Sequence, residues 1–435
     1  MNGKLYAGAA EIVITPPLGV SMDGYFHDRR ADDVLDDLYA RTLVVQSSET
    51  TAALVVCDLI GLDRADTLET RATIEERVGI PSSQVMICCT HTHTGPITSP
   101  WLDMGMFPDE AYMNVLKHKI ADAVQLAFQR RKPVSGQVAH GYVEGIAFNR
   151  RFWMKDGTLR TNPPLQSPEI VRPAGPIDTE LGIIYLADAA GGPLALVSNY
   201  AVHPDQVSGT AFCADHEGVE VRILKQVLGQ ECAVLCPNGC CGDINHRDVT
   251  KPTDWNRGLH VKERSGAALA GEVVRRLVDM DAIDGDDLRA GNRTTTASFR
   301  VPSAEDLDWA RKVIDGEMHG FDAKGLDIVK AHRMLRIHNS ELAELPVEVS
   351  AIAIGDVALV GLPGEIFVEL GLSVKQRSPF AHTFVSELCN DSIGYVPTQV
   401  AYGEGGYEAT NNRFKPGTGE LLVETALDLL NELHG

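Results

Sequence analysis

The sequence lacks any apolar run that approaches the ~20 residues needed to cross a bilayer as a helix. Its first residues, MNGKLYAGAAEIVITPP, also lack the composition of a signal peptide, because the apolar stretch is interrupted by Glu11 and followed by two prolines. They are more typical of a first β-strand. We therefore expect a cytoplasmic protein without a stable membrane anchor.

Basic residues are scarce relative to acidic ones. The chain has 39 lysines and arginines against 60 aspartates and glutamates, which gives a formal net charge of −21. A surface of this sign repels the phosphates of nucleic acids and of anionic lipids. We therefore expect no nucleic-acid partner.

The cysteines lack the pattern of a disulfide framework. There are nine, an odd number, and they include the adjacent pairs Cys88-Cys89 and Cys240-Cys241. Without an export signal, this set favours reduced thiols. The segment CPNGCCGDINHRD, residues 236–248, has no second Cys/His pair nearby to complete a structural zinc site. A glycine-rich turn that lets the backbone approach a ligand closely is the better interpretation.

Strand-like and helix-like segments alternate along the whole chain, of which 44% is hydrophobic. Residues 51–59 are typical of a buried strand, residues 68–80 of a helix and residues 84–90 of a second strand, which predicts a βαβ unit. No linker, repeat or shift in composition divides the sequence. We predict an α/β fold that forms one catalytic domain over residues 1–435.

Several further elements are predicted from local signals. One β-hairpin is expected around Gly191 and another around Gly355, each between two apolar segments. A helix is predicted to begin at Glu365. Residues 145–181 are rich in Pro, Gly and Arg, and we expect an irregular segment there that is either functional, shaping a pocket, or poorly ordered.

Two histidines stand one residue apart at the end of a predicted strand, in ICCTHTHTGP. Side chains two positions apart on a strand face the same side, so His91 and His93 could reach one metal ion, and zinc binds imidazole nitrogen readily. His203, in YAVHPD, closes another predicted strand and adds a third imidazole. Histidines that merely end a strand explain the same pattern, so both interpretations stay open here.

Glu365, in GLPGEIF, is a carboxylate that could join such a site. At the start of a predicted helix it would equally well complement the helix dipole. Its role is open on these grounds alone.

Seven short segments within residues 7–412 share their order with a known family. They are AGAAEIVITPPLGVSMDGY, THTHTGP, FNRR, NYAVHP, LPGEIF, CNDSIGYVPT and GGYEA. In the same order, they resemble seven segments of the amino-terminal catalytic domain of the neutral, non-lysosomal ceramidases. The family's segments are its first segment, THTHSGP, NINRS, its second histidine segment, PGEF, CNxYTHYITT and QRYEA. Each motif alone is unspecific, whereas seven in the same order indicate a relationship.

The resemblance implies a fold, a cofactor and a site. The implied fold consists of mixed β-sheets flanked by helices, and the implied cofactor is one Zn²⁺ per chain. The family's metal ligands fall on His91, His203, Glu365 and Tyr395. Family residues that line the cleft and hydrogen-bond the substrate's carbonyl fall on His93, Arg150 and Tyr407.

The implied chemistry is hydrolysis of an amide bond by a metal-activated water, whose pKa the ion lowers from 15.7 toward ~7. Tyr407 and His93 would donate hydrogen bonds to the tetrahedral oxyanion. A protonated His93 would also serve the leaving amine as an acid.

The sequence departs from the family pattern in three ways. The family's GDVSPN is GDINHR here, so Asn245 replaces a serine and a serine nucleophile is disfavoured, while a water nucleophile is unaffected. The sequence ends in VETALDLLNELHG, so we expect no counterpart of the family's carboxyl-terminal immunoglobulin-like domain. It also shows neither the signal nor the anchor of a secreted or membrane-facing enzyme. A smaller, soluble N-acyl substrate is therefore expected in preference to ceramide.

Two alternatives to an amidase remain. An esterase or lactonase would use the same site with an easier leaving group. A non-catalytic metal- or ligand-binding protein is the other, although Tyr407 and Arg150 argue against it, because a structural metal site needs no oxyanion donors. The ligand types suit zinc without excluding another divalent ion, and the sequence is compatible with a homo-oligomer.

Overall fold

The computed structural model describes residues 5–100, 105–316, 326–340 and 343–435. The strands among them are β1 (Tyr6–Val13), β2 (Ser21–Met22), β3 (Arg29–Arg30), β4 (Asp33–Val34), β5 (Tyr39–Gln46), β6 (Thr51–Cys57), β7 (Val85–Cys89), β8 (Lys132–Tyr142), β9 (Phe148–Asn149), β10 (Arg151–Met154), β11 (Leu159–Thr161), β12 (Ile170–Pro173), β13 (Glu180–Asp188), β14 (Pro193–Asn199), β15 (Ala211–Phe212), β16 (Ala233–Leu235), β17 (Ile244–Asn245), β18 (Asp281–Ala282), β19 (Leu288–Ser298), β20 (Glu344–Ile354), β21 (Val357–Gly361), β22 (Glu365–Ile366), β23 (His382–Ser386) and β24 (Tyr395–Val396). The helices are α1 (Arg64–Val78), α2 (Glu110–Gln129), α3 (Asp215–Leu228), α4 (Thr253–Asn256), α5 (Leu259–Arg276), α6 (Ala304–Ile314), α7 (Leu326–Ser340), α8 (Val368–Arg377), α9 (Gln399–Glu404), α10 (Tyr407–Asn411) and α11 (Thr418–His434). Within these ranges we find no helix with the length and apolar character to span a bilayer.

The larger sheet is mixed and has nine strands. Their order is β16-β14-β13-β8-β1-β5-β6-β7, with β18 beside β8. β6 and β7 pair in parallel, as do β14 and β16, and the other neighbours are antiparallel. Because α1 lies between the parallel strands β6 and β7, the predicted βαβ unit is confirmed.

A second sheet, in the order β19-β20-β21-β23, packs against the first. Side chains from one face of each sheet, such as Leu54 and Phe384, share one buried cluster. The contact is tight, because a Cβ on Gly182 of β13 would lie 2.2 Å from the Phe384 ring. Apolar side chains alternate along these strands, so those on the opposite faces meet helices instead.

Helices cover both outer faces. α1 and α2 pack on the part of the first sheet that contains β5 and β6, and α3 and α5 on the part that contains β13 and β14. α8 and α11 pack on the second sheet. The layers therefore run helix, sheet, sheet, helix, which confirms the predicted α/β class of mixed sheets flanked by helices.

Both predicted hairpins are present. β13 and β14 pair antiparallel around Gly191, which has a φ of 79°. β20 and β21 pair antiparallel around Gly355, which has a φ of 54°. Both glycines occupy the left-handed region that a tight hairpin turn requires, and that residues with a Cβ rarely adopt.

The helix predicted to begin at Glu365 begins instead at Val368. Glu365 belongs to the short strand β22, which pairs in parallel with β24. Its backbone N–H donates to the carbonyl of Gly394, a partner that local sequence does not reveal. The helix-dipole interpretation of Glu365 is therefore wrong, because its amide belongs to a strand pair.

Residues 145–181, predicted to be irregular, contain several short strands. β10 pairs antiparallel with both β11 and β12, and β9 pairs with β17. These pairs satisfy backbone groups that an irregular segment would leave to water. Arg150 lies between β9 and β10, so this small sheet positions a predicted site residue.

Candidate metal centre and active site

Three histidine side chains meet where the chain leaves β7 and β14. His93 Nε2 lies 3.4 Å from His91 Nε2 and 3.0 Å from His203 Nε2. Two ligands at about 2.1 Å from a tetrahedral ion lie about 3.4 Å apart, so this spacing suits coordination. His91 has a φ of 75°, which non-glycine residues seldom adopt and which often marks a functional site. These three residues could hold a metal ion.

Backbone carbonyls determine which ring nitrogens carry protons. His91 Nδ1 lies 2.8 Å from the Ile60 oxygen, and His93 Nδ1 lies 3.0 Å from the Gly24 oxygen. Because a carbonyl oxygen only accepts, we assign the proton to each Nδ1, which leaves a lone pair on each Nε2. Metal-binding histidines are held in this way, with the second ring nitrogen donating to a carbonyl. Burial lowers the pKa of His93 to about 3, so this ring is neutral at physiological pH.

Glu365 extends the histidine group. Its Oε2 lies 3.4 Å from His91 Nε2, and this buried oxygen accepts no hydrogen bond. A buried carboxylate oxygen without a partner is unfavourable by about 1–3 kcal/mol or more. A cation held between Glu365 and the imidazoles would supply the missing partner, so the donor set fits a metal.

Tyr395 reaches the site through strand pairing. It is the register partner of Glu365 in the β22–β24 pair, so the two segments that contribute oxygen donors are fixed to each other. The Arg150 guanidinium lies 5.3 Å from the centre of the Tyr395 ring. The ring of Tyr407 lies 5.4 Å from that of Tyr395. All seven residues named from the sequence therefore belong to one connected group.

Arg150 is held rigidly. Its Nε donates to Glu408 Oε1 at 2.7 Å, and a terminal nitrogen donates to the Gly242 oxygen at 2.7 Å. Burial alone would lower the pKa of Arg150, but Tyr395 and Glu408 raise it, so the group stays charged. Arg150 thus supplies a fixed positive charge next to the two tyrosines.

Tyr407 keeps its hydroxyl proton at neutral pH. Burial, and then the neighbouring carboxylate of Glu365, raise the pKa of Tyr407 well above its ordinary value. A protonated phenol is a hydrogen-bond donor. Tyr407 can therefore donate to an oxygen that develops negative charge.

The arrangement of His93 differs in one respect from that implied by the resemblance. The sequence prediction groups His93 with Arg150 and Tyr407 on the substrate side. The structure places His93 Nε2 within 3.4 Å of His91 Nε2 and 3.0 Å of His203 Nε2, and we assign its proton to the other ring nitrogen. Its predicted action on the substrate stays a prediction.

Sequence reasoning missed Glu408. This side chain is fully buried and also accepts from Thr161 Oγ1 at 2.8 Å. It follows Tyr407 directly in GGYEA, so the matched segment contained the only available signal.

Glu387 was missed as well, and no sequence signal pointed to it. Its carboxylate accepts from the Cys241 N–H at 3.0 Å and from the Ile366 N–H at 2.8 Å. Cys241 Sγ in turn lies 3.6 Å from His203 Nδ1. Burial raises the pKa of Glu387 to about 7. Glu387 therefore links Cys241, which lies next to His203, to the strand β22 that contains Glu365.

The glycine-rich turn NGCCGD serves the site through Gly242. We predicted that the turn brings backbone close to a ligand, and the structure shows it close to another part of the protein. A Cβ on Gly242 would lie 2.5 Å from the Glu365 carbonyl oxygen, and the Gly242 N–H donates to the Ile366 oxygen at 2.8 Å. Because Gly242 has no side chain, β22 can pack directly against the NGCCGD turn.

Gly242→Ala is expected to displace Glu365, because the added methyl would meet backbone atoms that cannot rotate away. We expect a loss of about 1–3 kcal/mol in unfolding free energy and a 10- to 100-fold weaker affinity for Zn²⁺, as for other groups that orient ligands. Competition with a chelator measures the affinity. Gly271→Ala is the control, since nothing lies within 4 Å of its Cβ position in α5. Equal Zn²⁺ affinities in the two variants would contradict the prediction.

Comparison with known proteins supports the fold. No family model matches the sequence. The neutral ceramidase from Pseudomonas aeruginosa has a TM-score of 0.77 and 16% identity over 100% of this chain and 75% of its own. A ceramidase complexed with C2 gives a TM-score of 0.77 and 16% identity, over 99% and 76% of the two chains. At this identity the likeness establishes the fold, and the chain is therefore a neutral ceramidase-like α/β domain over its whole length.

Proposed function

We propose that this protein is a zinc-dependent hydrolase that cleaves the amide bond of a small N-acyl compound. The observation that carries the proposal is the convergence of three imidazole Nε2 atoms with the unpartnered Oε2 of Glu365. Hydrogen-bond donors for a substrate oxygen stand beside this group. The likeness in fold to a neutral ceramidase supports an amide as the bond that is cleaved.

Four residues would hold the metal: His91, His203, Glu365 and Tyr395. Imidazole, carboxylate and phenolate donors suit Zn²⁺. When bound at such a site, Zn²⁺ lowers the pKa of a water to ~7 and polarises a carbonyl.

Tyr407 and Arg150 would bind the substrate's carbonyl oxygen. The Tyr407 hydroxyl donates a hydrogen bond that strengthens as the carbonyl becomes an oxyanion. A well-placed donor of this kind lowers the activation barrier by about 3–4 kcal/mol. Arg150 adds a charge whose position is fixed by Glu408 and therefore needs no rearrangement during the reaction.

His93 would transfer a proton. Because its Nδ1–H is occupied by the Gly24 carbonyl, its Nε2 is the basic atom and faces the reacting centre. The attacking water loses a proton as it adds to the carbonyl. His93, whose low pKa makes the neutral ring a weak base and the protonated ring a strong acid, would accept this proton and pass it to the leaving amine. This order of steps gives His93 the role of acid that the amino-acid sequence predicts. The ring does not need to be protonated before the reaction begins.

The side of His93 that faces away from the reacting centre is polar. Asp205, whose side chain is 38% exposed, has an oxygen 3.9 Å from His93 Nδ1 and accepts a hydrogen bond from the Tyr25 hydroxyl. A lipid chain packed against this side would desolvate the Asp205 carboxylate. This cost favours a small, soluble substrate.

The test is hydrolysis of a panel of N-acyl amino acids, N-acyl amines, and matched esters and lactones. We expect turnover of at least one N-acyl compound, lost after chelation and restored by Zn²⁺. Cleavage of esters or lactones without any amide would favour the esterase alternative. An absence of turnover across the panel with Zn²⁺ bound would favour a binding protein.

A further inference from the structure

A second cluster of potential ligands lies at the start of α3. Asp215, His216 and Glu217 are all buried and have ligand atoms close enough to hold an ion. His216 Nδ1 lies 3.4 Å from Asp215 Oδ1 and 3.3 Å from Glu217 Oε2. The side-chain amide of Gln206 lies 3.3 Å from the same nitrogen. None of these residues belongs to the group around His91.

The two carboxylates lack a basic partner. Among the described residues, neither Asp215 nor Glu217 forms an ion pair with a lysine or arginine, and His216 is their shared neighbour. Burial, and then the charge of Asp215, raise the pKa of Glu217 well above its ordinary value. Buried carboxylates normally occur paired or bound to metal.

Two buried oxygens of the cluster have no hydrogen-bond partner. They are Glu217 Oε2 and Gln206 Oε1, on side chains that are 3% and 5% exposed. Glu217 Oε2 faces His216, whereas Gln206 presents its amide nitrogen to this ring and its oxygen lies on the other side of the amide. A half-turn of the amide, which exchanges the two atoms, would bring the Gln206 oxygen to the position that faces His216. The environment of Glu217 repeats that of Glu365, whose Oε2 faces a histidine nitrogen at 3.4 Å and is also unpartnered.

We propose that Asp215, His216, Glu217 and Gln206 form a second divalent-cation site. The separations of 3.3–3.4 Å match the spacing of about 3.4 Å between ligands around an ion at about 2.1 Å. One imidazole nitrogen with carboxylate and amide oxygens suits a first-row cation such as Zn²⁺ or Mn²⁺.

The second site would stabilise the loop that contains His203. Asp215 Oδ2 accepts from the backbone N–H groups of Gln206 at 3.0 Å and Val207 at 3.1 Å. Gln206 is three positions after His203. A cation at this cluster would therefore fix Asp215 and, through it, the segment that places one of the three imidazoles.

The test is metal content per chain by elemental analysis after dialysis into metal-free buffer. We expect two equivalents in the wild type, one in Glu217→Gln and one in His91→Ala. Glu220→Gln is the matched control, because Glu220 is buried on the same helix but is satisfied by the Ser198 hydroxyl at 2.6 Å. It should retain two equivalents.

Two patterns of metal content separate this proposal from the proposed function. One equivalent of metal in the wild type, none in His91→Ala and one in Glu217→Gln would overturn the second site and leave the first. One equivalent in the wild type, one in His91→Ala and none in Glu217→Gln would support the second site and overturn the first. If Glu217→Gln does not fold, the wild type and His91→Ala decide. Counts of two and one support the second site, whereas counts of one and none mean that the cluster at the start of α3 holds no cation.

Discussion

Replacing His91 by alanine is expected to remove the cation of the three-histidine group and to lower kcat/KM by at least about 10³-fold, which corresponds to about 4 kcal/mol. The loss follows from geometry, because His91 Nε2 faces both His93 Nε2 and Glu365 Oε2. Elemental analysis and hydrolysis of the best N-acyl substrate are the measurements. Glu365→Ala should behave similarly, since it removes the carboxylate of the same set.

His260→Ala is the control for this prediction, because His260 is exposed on α5. It should keep both metal and activity. If His91→Ala and Glu365→Ala retained all of their metal, the ligand assignment would be wrong. His91 and His93 would then be histidines that end a strand, the alternative that the sequence left open.

Glu408→Ala is expected to lower the free energy of unfolding by about 3–5 kcal/mol, because it leaves the buried Arg150 without its carboxylate partner. Glu408 is fully buried, and its two oxygens lie 2.7 Å from Arg150 Nε and 3.7 Å from Arg151 Nε. Denaturant unfolding measures the loss. Activity should also fall, since Arg150 would no longer be fixed beside Tyr395.

Glu404→Ala provides the comparison for Glu408→Ala. Glu404 pairs with the same Arg151 at 3.2 Å, but its side chain is 22% exposed. A pair that water can reach contributes only about 0–1 kcal/mol. If the two variants lost equal stability, burial would not be the reason for the importance of Glu408.

The sequence by itself determined the local elements. Apolar runs of strand length placed β6 and β7, and glycines between two such runs located the hairpin turns at Gly191 and Gly355. These features depend on neighbours within a few residues, so local periodicity and turn chemistry suffice to predict them. The order of the seven motifs further indicated the neutral ceramidase-like fold, which the structural comparison supports.

Candidate site residues were also named from sequence, but their geometry was not. The predicted helix at Glu365 failed because the Glu365 amide finds its partner in Gly394, a residue remote along the chain. For the same reason no sequence pattern indicated that Glu387 links Cys241 to Ile366. Such partners become visible only when distant segments pack together.

The tertiary structure alone decided how the histidines face one another. Carbonyls of Gly24 and Ile60, remote in sequence from His91 and His93, direct the two Nε2 lone pairs inward. The same packing buries Glu217 without a basic partner and so creates the second cluster. The types of the site residues and their local secondary structure follow from short stretches of sequence. Burial, hydrogen-bond partners and charge balance depend on which distant segments the fold brings together.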